Sequence, residues 1–204
     1  MNSLAHIFIS KNSIDYQLGN LLADPLKGKS WDGASAHVQD GFRMHASIDS
    51  FTDSNKFVLK SKSRLRKKVY LKGVIVDIAY DYLLLKNWNQ YSKVSLESFI
   101  NTFYKDAEQT IKTYPNNARG FIEKIIESKK LTSYSSFEGL EAAFQRIDNR
   151  LSERILTKES TTEYLSDLKN EIERIEQDFL QFFPQLITHF KSKTGMPTRE
   201  HWLK

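Results

Sequence analysis

Apolar residues recur at three- and four-residue spacings along most of the chain, a period that predicts helices rather than strands. Ile14, Leu18, Leu21 and Leu22 mark an early helix, capped at Asn12 or Ser13 and ended near Asp24 by Pro25. Residues 27–40, with Trp31 and His37, read as a loop or short turn. Over 41–55, Phe42, Ile48 and Phe51 form an inward face, while His45, Asp49 and Asp53, four apart, share a neighbouring face. Residues 73–88 are apolar on nearly every side, which marks a buried helix. Further helices are expected from a Ser95 cap to Ile111, over 118–131 and over 137–155. A last, long helix is expected from the capping box Ser160-x-x-Glu163, with a heptad-like seam from Leu165 to Leu186 and a kink at Pro184. The expected fold class is all-α, a single-domain helical bundle over residues 1–204.

Composition narrows the chemistry. Only 8 Gly and 4 Pro in 204 residues leave few breaks, which favours long helices. With 0 Cys there is neither a disulfide framework nor a thiolate zinc site, so any metal falls to His and carboxylates. No run is long enough to span a membrane, and residues 1–10 lack the pattern of a secretory signal, so a cytoplasmic protein is expected. The net charge of +5 suggests an acidic partner. Much of the positive charge lies in 56–72, where Lys56, Lys60, Lys62, Arg64, Arg66, Lys67, Lys68 and Lys72 occur without an acidic residue. That stretch reads equally as a solvated helix face or as an electrostatic dock. No nucleic-acid recognition module is visible, and nucleic acid is not the expected partner.

The polar residues on apolar elements carry the chemistry. Asp77 and Asp81 sit four apart in the 73–88 helix, where an isolated ionised carboxylate is costly. They favour a site over a satisfied core network, and the helix is expected to face 41–55 across a polar pocket. Asn20 and Asp24 lie one turn apart at the end of the early helix. His6, inside an apolar run, reads by itself as a core histidine.

Four ordered motifs connect these residues. Met1-Asn2-x-Leu4-Ala5-His6, Gly19-Asn20-Leu21-Leu22-Ala23-Asp24, Gly41-x-x-x-His45-x-x-Ile48-Asp49-x-x-Thr52-Asp53 and Asp77-x-x-x-Asp81-x-Leu83 together resemble the acyl carrier protein phosphodiesterase family. The resemblance implies a divergent, helical relative of the HD-type metal phosphohydrolases. It implies cleavage of the phosphodiester that joins phosphopantetheine to a serine of holo acyl carrier protein, with manganese as the usual metal and magnesium or iron as alternatives. It also raises His6, Asp24, His45, Asp49, Asp77 and Asp81 to a ligand pool, with catalytic roles for the five of these that are not His6. Asp53 becomes a base or an orienting residue. Asn20, Arg64, Lys67 and Lys68 become substrate-binding candidates, and the basic stretch becomes a dock for the acidic carrier.

The sequence departs from the family at Ala46-Ser47, where arginines are common, and at Asn87, where His is common. No adjacent His-Asp pair occurs anywhere, so the usual HD ligand set does not carry across. Two rival readings therefore stand beside the first. One is a phosphohydrolase acting on a small phosphoester or nucleotide; the other is a non-enzymatic basic binding protein.

Overall fold

The computed structural model describes residues 3–66 and 70–193, which form helices and turns with no strand. In chain order the helices are α1 (Ser3–Ile9), α2 (Ile14–Leu22), α3 (Ala36–Ser54), α4 (Lys56–Arg64), α5 (Lys72–Lys86) and α6 (Trp88–Tyr91). They continue with α7 (Leu96–Thr110), α8 (Asn116–Glu127), α9 (Phe137–Asp148), α10 (Glu153–Leu156) and α11 (Leu165–Lys193). One contiguous apolar core runs through them, and the all-α expectation holds.

The seam on α11 supplies the middle of that core. Phe179, Phe182 and Phe183 are fully buried, and their rings meet Phe8 of α1, Tyr80 of α5 and Tyr91 of α6. The helix runs unbroken through Pro184. Its start differs from the expected capping box. A 3-10 turn, Thr162–Tyr164, precedes Leu165, and Asp148 accepts the backbone N–H groups of Thr161 (2.6 Å) and Thr162 (3.1 Å). A carboxylate from the end of α9 thus does the capping. The expected 137–155 helix correspondingly stops at Asp148 and resumes only as the short α10.

Helix α5 is buried, as its composition predicts, but it packs on α1, α4, α9 and α11. Its Asp81, 1% exposed, accepts the backbone N–H groups of Leu4 (3.2 Å) and Ala5 (3.4 Å). These are unpaired donors of the first turn of α1. The costly buried carboxylate is therefore answered by a helix N-terminus, and it braces α1 rather than facing α3 across a pocket.

The closest helix pairing is α2 on α3. A Cβ at Gly19 would lie 2.2 Å from the Val38 carbonyl oxygen, and one at Gly41 would lie 2.3 Å from that of Tyr16. Only glycine at both positions lets the two backbones touch. That contact sets the distance between the residues that follow each glycine, Asn20 and His45.

A candidate metal centre at the crossing of three helices

His6 comes from α1, Asn20 from α2, and His45 and Asp49 from one face of α3. The Asn20 amide orientation is fixed by its surroundings. Its Nδ2 donates to the His6 carbonyl oxygen (3.2 Å) and to Ser10 Oγ (2.8 Å), which leaves Oδ1 facing His6 Nδ1 at 2.8 Å. An amide oxygen only accepts, so His6 Nδ1 carries the proton. The same reasoning applies to His45, whose Nδ1 donates to the backbone carbonyl of Asn20 at 2.8 Å. A single asparagine thus sets the tautomer of both rings.

With both Nδ1 atoms committed, both Nε2 atoms turn toward carboxylates. His6 Nε2 lies 3.3 Å from Asp49 Oδ1, and His45 Nε2 lies 3.1 Å from Asp49 Oδ2 and 3.0 Å from Asp24 Oδ1. The two rings stack at 4.1 Å with 14° between their planes. Burial depresses the His6 pKa, so this imidazole is neutral and directs a lone pair at an acceptor. Burial also opposes charge on His45, but hydrogen bonds to Asp24 and Asp49 outweigh it and push the pKa up to about 9. Burial opposes charge on Asp49, but the hydrogen bond from His45 holds it well below the usual carboxylate range. The hydrogen bond to His45 lowers Asp24.

A neutral imidazole lone pair and carboxylate oxygens converge on one point, an arrangement that could hold a cation. Ligand atoms of His6, His45 and Asp49 lie within 4.8 Å of one another, and Asp24 adjoins from the solvent side. Histidines that donate Nδ1–H to carbonyl oxygens while presenting Nε2 are the arrangement that orients metal ligands. The donor set fits a divalent cation taking mixed nitrogen and oxygen ligands.

The other expected site residues lie elsewhere. Asp53 is 72% exposed and pairs with Lys62 at 2.9 Å. Asp81 holds the α1 N-terminus, and Asp77 lines a neighbouring chamber. Asn20, expected at the substrate, instead supports the imidazoles. Arg64 was expected at a docking face, yet its side chain is 8% exposed and its Nε lies 2.6 Å from Asp178 of α11. Arg66 pairs with Asp167 at 2.7 Å, and Lys60 lies 3.4 Å from Asp178. Three of the eight cations in the stretch, Lys60, Arg64 and Arg66, thus pair with acids of α11 that are over a hundred positions away in sequence. Lys67 and Lys68 lie outside the described residues.

The centre opens into a cavity of about 360 Å³ whose walls include His6, Asn20, Asp24, His45, Phe121 and Lys130. Asp24, Phe121 and Lys130 also line a second chamber of about 920 Å³ between α5, α8 and α9. Lys130 and the chamber's Arg146 were not singled out in the sequence. They carry no motif, and their proximity to His6 arises only from helix packing.

The family model described as acyl carrier protein phosphodiesterase matches residues 1–186. The chain belongs to the acyl carrier protein phosphodiesterase family. Curated relatives with that name include one from Enterobacter sp. (strain 638), 25% identical over 195 residues, covering 95% of this chain and 99% of the relative. Another, from Klebsiella pneumoniae subsp. pneumoniae, is 25% identical over 198 residues with the same coverage. No solved structure matches. Among the described residues no helix is long and apolar enough to cross a membrane.

Proposed function

We propose that the protein is a metal-dependent phosphodiesterase that removes the phosphopantetheine arm from holo acyl carrier protein. The observation that carries the reading is the convergence of two Nε2 atoms, with both Nδ1 atoms committed, on the Asp49 carboxylate. His6, His45 and Asp49 would hold the cation, with Asp24 as a fourth, solvent-side donor. A divalent ion there supplies Lewis acidity toward water and phosphoryl oxygens. Manganese or iron suits the mixed donor set better than magnesium, which prefers oxygen ligands throughout.

In the reaction, water adds at phosphorus and the P–O bond to the carrier serine breaks. The serine oxygen regains a proton, and the arm departs as a phosphate monoester. Asn20 fixes both imidazoles, so the centre is organised before substrate arrives. Asp24, whose carboxylate is held ionised beside His45, stands ready on the solvent side as the fourth ligand. Asp53 and Asp81 have no part in this scheme, since one is paired with Lys62 and the other caps α1.

Purified protein incubated with manganese and holo carrier, followed by intact-mass spectrometry, tests the reading. Loss of the arm's mass from the carrier, abolished in His45→Ala and Asp49→Ala, supports it. Inert holo carrier with hydrolysis of generic phosphoesters would move the protein to the small-substrate class. Inactivity without bound metal would leave only a binding role.

A further inference from the structure

The larger chamber carries positive charge that no acid among the described residues neutralises. Arg43, Arg64, Arg66, Arg119 and Arg174 are each ion-paired within the fold. The side chains of Lys130, Arg146 and Arg150 make no hydrogen bond or ion pair with any described residue, yet all three line the chamber. Lys130 is half-buried and also lines the smaller cavity that contains His6 and His45. It therefore stands where the two spaces join.

One further feature points the same way. Burial lowers the Lys130 pKa, a penalty that an anion beside the ammonium would offset. The chamber's acids, Asp24, Asp77 and Glu127, do not reach it within ion-pair distance.

We propose that Lys130, backed by Arg146 and Arg150, forms a phosphate-binding subsite at the junction of the two cavities, which holds the phosphoryl group of the leaving arm. This rests on the phosphodiesterase reading above and adds the direction in which the product lies. The phosphate sits between the metal ligands and Lys130, and the rest of the arm extends into the chamber along Val74, Ile78 and Phe121. A compact ammonium suits a phosphate that gains charge on changing from diester to monoester.

The test is titration calorimetry of inorganic phosphate into the manganese-loaded protein, which needs no carrier and so reads the subsite whether or not the carrier is cleaved. Lys130→Met should weaken phosphate at least tenfold, the loss of one charge-assisted hydrogen bond, while manganese content and Tm stay at the wild-type values. Lys130→Arg should restore part of the affinity. In turnover assays phosphopantetheine should inhibit the wild type at least tenfold more strongly than pantetheine, and Lys130→Met should shrink that difference at least tenfold. Phosphate affinity within twofold of wild type in metal-loaded Lys130→Met would overturn the proposal. So would discrimination between the two arms that is undiminished in Lys130→Met. A variant that loses manganese together with phosphate would also overturn it, since Lys130 would then be supporting the metal centre.

Discussion

Gly41→Ala puts the metal centre under a defined mechanical load. The new methyl would lie 2.3 Å from the Tyr16 carbonyl oxygen and 2.7 Å from the Asn20 nitrogen, against backbone atoms that cannot swing aside as a side chain would. Restoring an ordinary contact requires α2 and α3 to separate by about 1 Å, since interiors are close-packed and nothing else can yield. The His45–Asn20 hydrogen bond spans that gap at 2.8 Å, so it would open to about 3.8 Å and be lost. Overpacking costs about 1–3 kcal/mol and the stranded buried donor about as much again. For a chain of this size a loss of about 2–5 kcal/mol lowers Tm by about 5–15 °C. A histidine without its orienting partner should bind metal about 10–100-fold more weakly. Differential scanning calorimetry and manganese titration read the two effects. Gly120→Ala is the matched control: a Cβ there meets nothing within 4 Å, so the same change in α8 should stabilise by about 0.5–1 kcal/mol. If Gly41→Ala keeps wild-type Tm and manganese affinity, the crossing does not set the geometry of the site.

Four other outcomes are expected. Asn20→Ala should lower manganese affinity about 10–100-fold by releasing His6, measured by metal titration on protein that remains helical by circular dichroism. Arg64→Ala leaves Asp178 buried without its closest cation and should destabilise by about 3 kcal/mol, with KM for carrier unchanged; a raised KM at wild-type Tm would restore Arg64 to a docking surface. Burial raises the folded pKa of Asp81 to about 7 from 3.8, so its contribution to stability is full below pH 3.8 and is lost as pH rises through 7. Asp81→Asn should remove that slope from denaturation curves collected between these limits. The proton on His45 competes with metal up to its pKa of about 9, so manganese affinity should climb from pH 6.5 toward 9, and a pH-independent affinity would contradict His45 as a ligand.

The sequence conveyed what local spacing encodes. The helical period, the low Gly and Pro content and the buried character of 73–88 all reappear in the fold. The His45 and Asp49 pairing was legible because four residues make one helical turn. His6 and Asn20 were legible only through the ordered motifs, since nothing local links an α1 histidine to an α2 amide. Arg64 misled because charge neutralisation is a tertiary property: it meets Asp178 across 114 positions. Asp81 misled differently. A buried carboxylate needs partners, and here the partners are backbone N–H groups of α1, which have no sequence signature. The junction at Lys130 belongs to the same class, being made by packing α8 and the turn after it beside α2.

Asn20 supports its two histidines by unequal means. His6 leans on a side-chain oxygen, which a single nucleotide change can remove, whereas His45 leans on a main-chain oxygen that every amino acid carries. One half of the centre is therefore open to drift and the other is shielded from it. Descendants of this sequence could exchange position 20 and retune the His6 side while inheriting the His45 side intact. Selection on metal preference would then act through one imidazole at a time, and the α2–α3 contact would outlast the residue that now completes the site.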